Sequence, residues 1–374
     1  MQIVGDKILE KFKNIEFLRV VGCIAIVLLH IFNGGGLYES FASAWDFNYG
    51  KIHWITSNGA KAVDLFFILS GLFFMLKIAP PPKMQSLYSF VKKKVIRLWP
   101  VLIWTIFLYF LVSLTGAIEF QTFSNIITFF GLSGNGIGLE RGNVGAFWYV
   151  SAMLWVLVLF FYLLKNFDKK VVNLIIALLV YFSYVFLLHA RDGSIGNHIQ
   201  TFYNIVNVGM LRAFGGIGIG YFIAEWYKNN RENIQNLTLS FSNKVAVSIL
   251  EFGCVFFIIK NLMLNKLSFH NQIIFIIVFT MTIVLFLLNK GYVSELLNND
   301  INVFLGKYTY SIYLTHSVVR GLFKGTFWKY HPEFVFMHPL LNIVITLLTV
   351  LILGIITYHF VEKPASKYLQ EKYL

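Results

Sequence analysis

Arg19 and His30 are the two groups whose types and spacing point first to chemistry. Both lie in the apolar run 15–33, IEFLRVVGCIAIVLLHIFN, a stretch long enough to span a bilayer. Eleven residues apart, they return to within roughly 20° of one helix face and stand about 16 Å apart along its axis. A guanidinium and an imidazole therefore look into one space. Ionisable groups are costly in hydrocarbon and face a bundle interior or a water-filled cavity. An imidazole titrates near neutral pH and can take a proton from a weak oxygen nucleophile during attack. The bland alternatives are an arginine snorkelling to the interface and a histidine at headgroup depth. The shared face counts against both holding at once.

Such a pair needs a bundle around it, and the composition supplies one. Of 374 residues, 57% are apolar and 13% charged, against about 25% charged in a soluble domain. This predicts an all-α, polytopic transmembrane bundle of about ten helices, forming one membrane domain over residues 1–374. The segments lie near 15–34, 60–78, 99–115, 147–165, 171–189, 206–226, 245–263, 271–289, 303–323 and 340–361. The net charge of +13 sits in short loops between apolar runs, the positive-inside pattern rather than a nucleic-acid stripe. Cys23 and Cys254 both fall in apolar segments. They offer neither a disulfide framework nor a CxxC metal site, and no metal is expected. The first helix reads as a retained anchor.

With the N-terminus inside, nineteen lysines and arginines fall on the cytoplasmic side and eight outside. This bias predicts both termini in the cytoplasm. Arg19 then lies near the inner face and His30 near the outer one. Asp64, about one turn into the second segment, comes to a height similar to His30. A carboxylate at that depth needs a partner.

The outer loops are long. One holds a short apolar piece, 126–132, that reads as interfacial or re-entrant, then Glu140, Arg141 and Asn143. The inner loop after the second segment carries Pro80-Pro81-Pro82, then Lys92-Lys93-Lys94 and Arg97. That cluster suits anionic lipid headgroups first, or instead the phosphates of a soluble cofactor.

Six motifs in order resemble the acyltransferase-3 family of membrane acyltransferases. Arg19 and His30 fit its R-x10-H signature, and 62–71, AVDLFFILSG, looks like its G-V-D-L-F-F-x-x-S-G stretch. Arg97-Leu98-Trp99-Pro100 is similar to its R-x-x-P element, and Phe147-Trp148-Tyr149 to its aromatic helix entry. Tyr310 to His316 and Phe360 to Pro364 resemble S-Y-x-x-Y-L-x-H and F-x-E-x-P. Lys94 stands where the family often has a second arginine, and Ala62 where Gly is usual. No appended esterase-like domain is visible.

The resemblance implies transfer of an acyl group, most often acetyl from cytoplasmic acetyl-CoA. The acceptor would be a hydroxyl of a cell-surface or lipid-linked glycan beyond a bacterial inner membrane. It implies His30 as proton acceptor or acyl carrier, with Arg19 and Asp64 completing the catalytic set and Asp64 orienting the ring. Arg97, Lys94, Lys93 and Arg19 would hold acetyl-CoA; Trp148, Tyr149 and Arg141 would meet the glycan, and lipids would surround the whole. His316 is weighted towards a structural hydrogen-bonding role, and Glu362 can pair with Arg19 or Arg97. The rival class is a glycan transporter or flippase, which would move its substrate unmodified.

Overall fold

The structure, a computed structural model, describes residues 12–32, 58–79, 85–133, 144–189, 201–202, 206–263 and 269–374. Helix α1 (Lys13–Phe32) is followed by a 3-10 turn (Gly59–Lys61) that leads into α2 (Ala62–Lys77). Then come α3 (Leu87–Leu114), α4 (Thr122–Phe129), α5 (Phe147–Asn166), α6 (Lys169–His189) and α7 (Val208–Asn229). Next are α8 (Arg231–Asn236), α9 (Phe241–Met263), α10 (Phe269–Leu288), α11 (Tyr292–Leu297), α12 (Asp300–Gly306) and α13 (Thr309–Gly325). The chain closes with α14 (Phe327–Tyr330), α15 (Pro332–Met337), α16 (Pro339–Thr357), a π turn (Tyr358–Glu362) and α17 (Lys363–Tyr373). Two two-residue strands, Thr201–Phe202 and Val206–Asn207, pair antiparallel before α7, a small departure from the all-α expectation.

Each of the ten predicted segments has a long helix at its centre. Among the described residues, seven stretches are long and apolar enough to cross a membrane: 13–31, 59–77, 87–114, 147–166, 169–188, 241–262 and 341–373. Helix α10 contributes a shorter apolar stretch, 273–288. The two other long helices, α7 and α13, carry buried polar groups: Arg212 on α7, and Thr309, Ser311, Thr315 and His316 on α13. Those groups face other helices, and they are what depresses the hydropathy.

Close packing at glycine fixes how α7 meets α2. A Cβ on Gly216 would press on Cβ of Phe67, and one on Gly220 would collide with the Ile68 carbonyl. Gly71 faces the Ile217 carbonyl in the same way. The spacing Gly216-x3-Gly220 is a small-residue row that lets two backbones approach. Asp64 beside Arg212 and Ile68 beside Gly220 give the pair a parallel register. Three long helices (α3, α5, α6) lie between them in sequence, an odd number, as parallel neighbours require.

Helices α1 and α13 are parallel for the same reason. Cys23 donates to the Thr309 carbonyl at 3.5 Å, and seven residues further along each helix His30 meets His316. Seven residues are two turns, so both contacts fall on one seam. The short helix α4 buries Ser124, Asn125 and Thr128 and exposes Phe123, Ile126 and Phe129. That inverted pattern fits a helix lying against lipid, as the apolar piece 126–132 suggested. Trp99 on α3 holds it by donating from Nε1 to the Phe129 carbonyl at 2.8 Å.

Candidate functional site

The seam between α1 and α13 carries the candidate site. At one end Arg19 donates from Nη1 to both oxygens of Glu16, at 3.0 and 2.8 Å, and from Nη2 to Thr309 Oγ1 at 3.4 Å. Glu16 is buried, one turn before Arg19, so the pair forms within a single helix. At the other end the His30 ring lies 5.0 Å from that of His316, tilted by 34°.

Between these ends stands a knot of aromatic rings. Tyr313, one turn after Thr309, packs 5.8 Å from Tyr149 and 6.3 Å from Phe66, and those two are 6.0 Å apart. The triangle is polar at its edges. Tyr149 Oη meets Ser70 Oγ at 3.0 Å and donates to the Phe66 carbonyl at 3.2 Å. Tyr313 donates to the Ala146 carbonyl at 2.9 Å. Two of the three ring pairs meet edge-on, and both tyrosine hydroxyls are satisfied, which makes a rigid wall.

The N-terminal end of α13 is tied to two further helices. Tyr310 donates to the Leu98 carbonyl at 2.8 Å, in the turn where Pro100 removes a backbone donor from α3. Ser311 donates to Glu362 Oε2 at 2.6 Å. Glu362 closes the π turn, a distortion that often marks functional positions. Its carboxylate lies in the positive fields of Arg97 and Arg19, which puts both guanidiniums at the same end of the seam.

Asp64 is not brought to His30. Arg212 closes it, from Nε to Oδ1 at 2.9 Å and from Nη2 to Oδ2 at 3.0 Å, and also donates to the Ala60 carbonyl at 3.1 Å. Depth explains why. Gly59 packs against Ala25 and Leu29, while Gly22 packs against Ala62 and Phe66. This antiparallel register sets Asp64 near the level of Gly22, about 12 Å from His30 along the axis of α1. The expectation of similar heights does not match this packing.

A family model described as an acyltransferase domain matches residues 12–359 of the 374. The chain belongs to the acyltransferase-3 family. No curated protein and no solved structure matches it. Membership and the apolar helices together make this a multi-pass membrane acyltransferase.

In this acyltransferase the basic residues of α3 differ in their freedom. Lys93 donates to Gln85 Oε1 at 2.6 Å, and Lys94 sits over the Phe90 ring, 5.5 Å from its centroid. Arg97 is exposed and makes no hydrogen bond or ion pair with a described residue. It has donors to offer a phosphate, whereas much of Arg19 is occupied by Glu16. Glu362, expected to pair with Arg19 or Arg97, instead accepts from Ser311 while sitting in both fields.

The aromatic entry to α5 is buried. Trp148 underlies the Arg212 guanidinium, 5.6 Å from ring to Cζ, and Tyr149 belongs to the ring triangle. Arg141 lies outside the described residues. The described residues contain no group of three ligating side chains that could hold a metal. Three parts of the site were not singled out from sequence. Glu16 carries a visible signal, its spacing of three residues from Arg19. The Ser70–Tyr149 contact and the nearness of His316 to His30 depend on packing between distant helices and carry none.

Proposed function

We propose that this protein moves an acetyl group from cytoplasmic acetyl-CoA to a hydroxyl of a cell-surface or lipid-linked glycan on the outer side of a bacterial inner membrane. The observation that carries this reading is the α1–α13 seam, with guanidiniums at one end and a pair of imidazoles about 16 Å of helix further on. Acetyl-CoA is anionic at its nucleotide end, so the Arg97 end suits its phosphates, with Lys94, Lys93 and Arg19 adding charge. The pantetheine arm is neutral and, in this reading, follows the seam towards His30. There a sugar hydroxyl, a weak nucleophile, needs its proton removed as it attacks the thioester.

In this account His30 is the base, and Arg19 with Glu16 and Thr309 sets the polar floor of the passage. Asp64 acts through Arg212, locking α2 to α7 and so fixing the wall that carries Phe66 and Ser70. The buried Trp148 and Tyr149 shape that wall; the glycan would meet the outer loops, Arg141 among them. A transporter would need the same intramembrane charges, but family membership favours chemistry. Mass spectrometry of surface glycans with and without the protein tests the reading. A mass difference of one acetyl per acceptor is expected. Identical glycans, with export altered, would support transport instead.

A further inference from the structure

We propose that His316 is the positioning residue for His30, accepting a hydrogen bond from one nitrogen of that ring while the other takes the acceptor proton. This rests on the reading of His30 as base. It supplies the orienting partner that Asp64, occupied by Arg212, does not.

Three observations carry it. His316 Nδ1 lies 2.5 Å from the Tyr313 carbonyl oxygen. A carbonyl can only accept, so Nδ1 carries the proton and the neutral ring presents Nε2 as a bare lone pair. That Nε2 is buried, with His316 2% exposed, and has no hydrogen-bond partner among the described residues. A buried acceptor left unpaired forfeits its solvation without compensation, so such atoms call for an explanation. Of the two aromatic neighbours of the His316 ring among the described residues, His30 at 5.0 Å is nearer than Tyr313 at 5.9 Å. At that separation His30 is the neighbouring ring with a nitrogen to offer the lone pair. A small rotation of His30 would satisfy the orphaned lone pair.

The chemistry then balances. The His30 N–H donates to His316 Nε2, which leaves the other His30 nitrogen unprotonated, able to take the acceptor proton. As the sugar oxygen bonds to the thioester carbon, its proton passes to that nitrogen. When the tetrahedral centre collapses, the carbon–sulfur bond breaks, the electron pair leaves with sulfur, and His30 returns the proton to the thiolate. His316 keeps its own proton on Nδ1 throughout, donated in a hydrogen bond to the Tyr313 carbonyl. It orients the imidazolium without neutralising it.

Two amides separate this role from a purely structural one. In His316→Asn the side chain can reach the Tyr313 carbonyl but ends where Nδ1 ends. In His316→Gln it can place an acceptor near the Nε2 position. Full-length variants in membranes are assayed for acetyl transfer per folded molecule, alongside His30→Ala. The Gln variant should retain activity within about tenfold of wild type, and the Asn variant should fall about a hundredfold in kcat with donor KM unchanged. Equal activities in the two amides, high or low, would overturn the proposal.

A second measurement avoids substitution at His316. In protein labelled with ring-15N histidine, one neutral ring protonated on Nδ1 should be present, and its Nε2 resonance should shift in His30→Ala. No shift would overturn the proposal as well. If His30→Ala itself keeps full activity, the reading of His30 as base fails, whatever the amides do.

Discussion

Asp64 and Arg212 form a two-point ion pair at 2.9 and 3.0 Å, with 3% and 1% of their surfaces exposed. It ties the start of α2 to the start of α7, about one turn before the Gly216–Phe67 contact. Removing one partner of a buried pair strands the other charge and costs about 3–5 kcal/mol, while replacing both with apolar groups is often neutral. Asp64→Asn and Arg212→Ala should therefore lower thermal stability and membrane abundance, and Asp64→Leu combined with Arg212→Met should recover most of both. Thermal unfolding in detergent reads this directly. A fully stable Asp64→Asn protein without activity would move Asp64 back into the chemistry.

The glycine row of α7 makes a companion prediction. Gly220→Val places atoms against the Ile68 carbonyl and should push α2 away, with loss of folded protein. On α9, a Cβ added at Gly253 would meet nothing within 4 Å, so Gly253→Val should accumulate normally. Comparable loss in both variants would mean that general glycine effects, and not the α2–α7 contact, set the cost.

What the sequence could show was local. The shared face of Arg19 and His30 follows from helical periodicity alone, and the helix centres follow from hydropathy. The inter-helix register did not follow. Gly59 opposite Ala25, and with it the depth of Asp64, depends on how two helices nest around glycines. Trp148 and Tyr149 stand in the sequence only as an aromatic entry to a helix. Burial under Arg212 becomes visible only once α7 is in place. His316 stood in a recognisable element, but its partner is about 290 residues away and no spacing rule connects them.

On the donor side, Arg97→Ala should weaken acetyl-CoA binding about 10- to 100-fold, the worth of a charge-assisted hydrogen bond. Lys94→Ala should weaken it less, because Lys94 lies over Phe90. Calorimetric titration of purified protein checks both. Unchanged affinity in the double variant would assign the cluster to lipid headgroups.

The most direct test of the whole account is acetyl transfer by His30→Ala. Purified protein is reconstituted in vesicles with acetyl-CoA supplied on the Arg97 side, and acetylation of a glycan acceptor is measured at matched protein levels. Loss of general-base catalysis alone accounts for about 10²–10⁴-fold, so transfer should fall to background while acetyl-CoA still binds. Transfer at the wild-type rate by a correctly inserted His30→Ala protein would contradict the account.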